Sequence, residues 1–144
     1  MRQNQVVRLR RRPLDQRRGV TIVEFAIVAP LFFLVVLGIF EFGRAMMVHG
    51  LLVGAAQQGA RLGAMHTAQA TDVSAEVNSY LTSAGISGAT TVVTPDPPAN
   101  ANPGQDVKVT VSIGYMQVSW LPAPKFLKNV TLSSTAIVQR ESGQ

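Results

Sequence analysis

Cysteine is absent from this 144-residue chain. A disulfide framework, a thiolate metal centre and a thiol nucleophile are all excluded, while the redox compartment is left open. Charge is scarce as well, at 15% of residues, where about 25% is usual. The shortage is concentrated: residues 25–40 are 16 consecutive positions without a polar side chain, which argues against a wholly soluble globular protein. The main body also lacks a basic stripe. Residues 1–19 hold seven arginines (Arg2, Arg8, Arg10, Arg11, Arg12, Arg17, Arg18) against Asp15, a net of +6, whereas residues 20–144 carry −1. The overall charge of +5 is therefore the property of a short tail, and no nucleic-acid partner is expected. Apolar residues, at 47%, are in ordinary supply, and the length suits one small domain.

An arginine-rich tail running into an apolar segment is a membrane address. Residues 20–40 number 21, and at about 1.5 Å per residue that helix covers roughly 30 Å, one hydrocarbon core. A secretory h-region is shorter, about 7–15 residues, and ends in a small-x-small cleavage site. Here Glu41-Phe42-Gly43-Arg44 follows instead, so an anchor is expected rather than a secretory signal. The arginines stay in the cytoplasm, which places everything after Phe42 on the other side.

Glu24 does not suit a plain anchor. A carboxylate inside a bilayer costs about 2.5–3.5 kcal/mol at mid-depth and less near the ends. It can snorkel to the cytoplasmic interface, or it can meet an amine. Cleavage between Gly19 and Val20 would create an α-amino group at the membrane edge, and that amine on a neighbouring copy could pair with Glu24.

The residues Arg17-Arg18-Gly19-Val20-Thr21-Ile22-Val23-Glu24-Phe25 resemble the start of a type IV prepilin: a basic leader ending in Gly, a cut before an apolar residue, and Glu at the fifth mature position. Glu followed by an aromatic is similar to the Flp/Tad branch. Three blocks resemble TadE-like pilins, namely Val23-Glu24-Phe25-Ala26-Ile27-Val28-Ala29-Pro30, Gly38-Ile39-Phe40-Glu41-Phe42-Gly43-Arg44, and Ala55-Ala56-Gln57-Gln58-Gly59-Ala60-Arg61. Gln57-Gln58 stands where that family more often carries a charged pair. The resemblance covers residues 17–64. It implies a minor pilin or pseudopilin, a structural subunit or assembly factor of a Flp/Tad-type pilus or related secretion system. Its implied partners are a prepilin peptidase, other pilins or pseudopilins, an inner-membrane assembly platform and membrane lipid. The implied location is the bacterial inner membrane, single-pass, with a periplasmic C-terminus, and the cell surface or pilus after processing.

Along the helix, Pro30 removes the amide that would bond to the Ala26 carbonyl, so a kink or loosened turn is expected there. Gly38 and Gly43 allow close approach of another helix. Glu41 and Arg44 are three residues apart on one face and are expected to form a charge pair at the membrane edge. The helical pattern continues to about Met65. Ala56, Gly59 and Gly63 share a face opposite Gln57, Gln58 and Arg61, a small-residue seam that lets another helix backbone come close. Its partner is either a helix of another subunit or the chain's own head.

The rest reads as an exported head. Thr71 is expected to cap a helix bearing Val73, Val77, Tyr80, Leu81 and Ala84 on its apolar face, with Gly85 as the terminating residue. Residues 90–94 are a short β-branched strand, residues 96–104 an exposed Pro-rich loop, and residues 107–115 an alternating strand. Residues 120–124 form an irregular crossing, with Trp120 a core or interface residue, and residues 130–138 form the last strand, ended by Gln139-Arg140-Glu141. The fold class is α+β: a long N-terminal transmembrane helix and stem, then a small head of one helix and about three antiparallel strands. The expected divisions are a cleaved leader over 1–19, a span over 20–42, a stem over 43–66 and a head over 71–144. His49 and His66 lack a carboxylate at ligand spacing, no serine sits in a nucleophile elbow, and no phosphate-binding glycine loop occurs. No enzyme, metal or cofactor is expected. The alternative to the pilin reading is an uncleaved single-span envelope protein whose exported head binds a partner.

Overall fold

The computed structural model describes residues 15–140, with side chains from residue 19 onward. Most of the arginine tail and Glu141 lie outside the described residues. The elements run α1 (Asp15–Gly63), α2 (Ala70–Ser83), β1 (Thr90–Thr94), β2 (Asp106–Gly114), a single helical turn α3 (Tyr115–Val118) and β3 (Thr131–Gln139). The chain divides into two units, Met1–Leu37 and Gly38–Gln144.

In the first unit the apolar side chains of α1 are uncovered among the described residues. Val20 is 68% exposed and Phe25 70%, where residues of this type are normally the most buried. The helix holds an 18-residue window of mean hydropathy 2.7 and is long and apolar enough to cross a membrane. Pro30 lies within it, and the helix continues on both sides.

In the second unit the same helix changes character. Glu41, Ala45, Val48, Leu52, Ala55, Gly59 and Gly63 are buried. Their steps of three and four residues make one stripe. That stripe packs on a three-stranded antiparallel sheet of order β1-β2-β3. Alternation along β2 turns Val107, Val109, Val111 and Ile113 into the core, all 3% exposed or less. Lys108, Thr110 and Ser112 face the other way, where the Thr110 and Thr135 hydroxyls, opposite each other in register, lie 2.9 Å apart. β3 repeats the alternation with Leu132, Ser134, Ala136 and Val138 half-buried, as expected of an edge strand covered on one side.

α2 completes the core with Val73, Val77 and Leu81. It begins one residue before Thr71, with Gln69 as N-cap and no side-chain cap: the amides of Asp72 and Val73 both donate to the Gln69 carbonyl. Its end matches expectation. Gly85 has φ +75°, Gly85 N–H donates to Thr82 O, and Ile86 N–H donates to Leu81 O at 2.9 Å. This is a Schellman closure, and Ile86 and Leu81 join the core together. Tyr80 and Ala84, expected on the apolar face, are exposed instead.

Two other expectations are corrected. β2 ends at Gly114, and Tyr115 opens the turn α3 rather than closing the strand. The Pro-rich segment 96–104 is not wholly exposed: Pro98 and Ala101 are buried, with a 3-10 turn over Pro98–Asn100. What holds it is Arg140, 8% exposed, whose guanidinium donates to the carbonyls of Ala99, Ala101 and His66 and lies 3.1 Å from His66 Nδ1. Carbonyl oxygens replace water around this buried cation.

Candidate functional site

Three groups of residues carry the functional expectations, and the structure uses each differently. The first is Gly19, Val20 and Glu24. All three are exposed on α1, and Glu24 makes no hydrogen bond or ion pair among the described residues. Its carboxylate stands on a helix otherwise lined there by Ile22, Val23, Phe25 and Ile27, each at least 60% exposed.

The second group is Glu41 and Arg44. They share a helix face, but the expected charge pair is replaced by two separate grips on the stretch from Val118 to Leu127. Glu41 is 1% exposed. One carboxylate oxygen accepts the Lys125 amide at 2.6 Å, and the other accepts those of Phe126 at 2.9 Å and Leu127 at 3.1 Å. Both oxygens are committed to backbone N–H groups, which form strong charge-assisted bonds. Arg44 Nε donates to Val118 O at 2.8 Å, and its guanidinium carbon lies 4.6 Å from the centre of the Trp120 ring. The Tyr115 hydroxyl donates to the backbone carbonyl of Glu41 at 2.9 Å. A loop with no regular hydrogen-bonding partner is thus held by side chains of the Glu41-Phe42-Gly43-Arg44 block. Phe126 finishes the contact, since a Cβ at Gly38 would lie 3.3 Å from its ring. Gly38 serves close approach, but of the chain's own loop.

The third group is the seam of Ala56, Gly59 and Gly63. It faces inward, onto the chain's own α2 and β2. A Cβ at Gly59 would lie 2.7 Å from Val77, 3.2 Å from Val73 and 3.3 Å from Val109, and one at Gly63 would lie 3.2 Å from Val107. Of the two partners open to the seam, the structure has the chain's own head. Residues 43–66, expected as a stem, supply one wall of the same core as residues 71–140. The opposite face of α1 stays outside, with Gln57, Gln58 and Arg61 exposed and Gln58 3.3 Å from Glu76.

Sequence reasoning did not find the bonds of the Tyr115 hydroxyl and the Arg140 guanidinium, or the three amides that meet Glu41. The amides have no side-chain signature, and the separations of 84 to 86 residues leave no periodic trace. Among the described residues no group of three or more His, Asp or Glu side chains is placed to hold a metal ion.

No curated protein and no solved structure matches the chain. The family model described as TadE-like protein matches residues 19–61, from the candidate cleavage site to the buried seam and within α1. Over these residues the chain is similar to TadE-like proteins, a structural family associated with Tad-type pili.

Proposed function

We propose that this chain is a minor pilin or pseudopilin, acting as a structural subunit or assembly factor of a Flp/Tad-type pilus or a related secretion system, and not as an enzyme. The observation that carries this reading is the coincidence of the TadE-like match with a helix whose apolar half is exposed among the described residues and holds the exposed carboxylate of Glu24. The arginine tail retains the N-terminus in the cytoplasm while the helix inserts, leaving the head on the periplasmic side of the inner membrane. A membrane peptidase of the prepilin type, supplied in trans, cuts between Gly19 and Val20. The released amine of Val20 then pairs with Glu24 of an adjoining subunit and sets the register of packed helices. Loss of a leader carrying +6 removes a strong mutual repulsion between copies. The partners are the peptidase, other pilins and the assembly platform. Intact mass or N-terminal sequencing of the membrane-fraction protein tests the reading: Val20 as first residue supports it, and Met1 or Arg2 overturns it.

A second reading, an uncleaved single-span envelope protein with a partner-binding head, draws on α1 running as one helix through the Gly19–Val20 bond. The same measurement separates the two.

A further inference from the structure

The segment 119–130 has an unusual surface for a loop. Trp120 is 67% exposed and Phe126 47%, while Lys125 and Lys128 are exposed beside them. Exposed aromatics interleaved with lysines are the composition of a membrane interface, where ring bodies sit at headgroup level and ammonium groups meet phosphates. The position of the loop along α1 gives that composition a depth. Phe126 is level with Gly38, and Gly38, Ile39 and Phe40 are the last residues of the uninterrupted apolar run. With residues 20–40 filling the hydrocarbon, its outer boundary falls near Phe40. Arg44 and the Trp120 stacked on it stand four residues farther, about 6 Å at 1.5 Å per residue, within a headgroup layer about 5–8 Å thick.

An irregular backbone brought to the hydrocarbon edge, where Phe126 lies, needs its amides satisfied, because acyl chains offer nothing to accept them. The Glu41 carboxylate does this for three successive residues at the deepest part of the loop, Lys125, Phe126 and Leu127. An acid at the end of an apolar run thereby becomes the acceptor that lets a loop lie there.

We propose that residues 119–128 form a second membrane contact, seated in the headgroup layer of the exported-side leaflet, with Phe126 at the hydrocarbon edge, Trp120 among the headgroups, and Lys125 and Lys128 paired with phosphates of anionic phospholipids. The occupant of this surface is lipid, since the loop is continuous with the apolar run and carries lysines of the right charge. The inference rests on residues 20–42 spanning the membrane, but not on cleavage at Gly19 or on pilus assembly.

The chain holds one tryptophan, so Trp120 is its own probe. The full chain is reconstituted into vesicles of phosphatidylcholine, alone or mixed with phosphatidylglycerol, floated on a density gradient and titrated with iodide and with lipids brominated at shallow or deep acyl positions. The expected result is a blue-shifted emission, weak iodide quenching, and stronger quenching by shallow than by deep bromines. In the Trp120→Phe/Phe126→Trp variant the quenching should move toward the deeper label. The Lys125→Gln/Lys128→Gln variant should lose whatever increment phosphatidylglycerol adds. Protein that floats while Trp120 remains iodide-accessible and untouched by brominated lipid overturns this proposal and leaves the span intact. So does a Trp120 shielded from both quenchers, which would mark a protein interface. Protein that fails to float overturns the span and the proposal together.

Discussion

The Tyr115 hydroxyl donates to the backbone carbonyl of Glu41 across 74 residues of sequence, at the helix turn whose carboxylate gathers the amides of Lys125, Phe126 and Leu127. Tyr115 is 1% exposed and follows directly on the central strand. Through this bond the end of β2 and the loop after it are referenced to one turn of α1. The Glu41-Phe42-Gly43-Arg44 block, which looks in sequence like a membrane-edge ion pair, is a clasp on the chain's own loop.

Tyr115→Phe keeps the ring in place and removes one hydrogen bond, so it should cost about 0.5–1.5 kcal/mol. Glu41→Ala strips the acceptor from three amides at once and should lower the unfolding midpoint considerably further. Thermal unfolding followed by circular dichroism in detergent micelles measures both. Equal midpoints for Glu41→Ala and the parent would show that the clasp does not hold the loop.

The glycines of α1 should divide by sign. Gly59→Ala places a methyl 2.7 Å from Val77, an overpacking that costs about 1–3 kcal/mol. Gly50, on an exposed stretch of the same helix, has nothing within 4 Å of an added Cβ, and Gly50→Ala should stabilise by up to about 0.8–1 kcal/mol. The two variants compared in one denaturant series decide it: a Gly59→Ala protein as stable as Gly50→Ala would contradict the inward-facing seam.

Arg140→Met should release the Pro-rich segment. The substitution keeps much of the apolar stem and deletes the donors to Ala99, Ala101 and His66, bonds of a charged group worth about 1.5–3 kcal/mol each. Arg140→Lys should rescue little, because one ammonium cannot reproduce a planar fork. Hydrogen exchange of the Asn100 and Ala101 amides, which donate to Pro97 and Pro98 in the native turn, is the measurement, and faster exchange in both variants is the expected outcome.

Glu24→Ala should leave processing at Gly19 largely intact while impairing co-assembly with other pilins. Immunoblotting for the mature form and electron microscopy of the appendages report the two effects separately. Normal piliation in the mutant would sink the proposed pairing with the Val20 amine.

Much of this architecture was legible because it is periodic. The apolar run announces itself by length, and β1, β2 and β3 come from β-branched residues and from alternation such as Val107, Val109, Val111. The helix ending at Gly85 follows from the absence of a Cβ at positive φ. Alternation misled at Tyr115, which continues the pattern of β2 while its backbone has already turned. It was silent about which partner the Ala56-Gly59-Gly63 seam would take, because a small-residue stripe reads the same against a neighbour subunit or an internal sheet. The partners of Arg140 and Glu41 escaped for a different reason: they are main-chain groups, and every residue but proline carries an amide donor as well as a carbonyl. Polarity in a sequence marks a group that needs a partner without saying where that partner lies.

The wall that residues 45–64 lend to the core bears on how the α+β head can be handled by itself. A fragment begun at Thr71 would keep α2 but lose the α1 wall, leaving the core that holds Val107, Val109, Val111 and Ile113 partly open to water and prone to aggregate. A soluble piece has to start upstream of Ala45. The boundary between anchor and cargo therefore falls inside a single helix, and an engineer trimming this protein has to cut α1 rather than the linker that follows it.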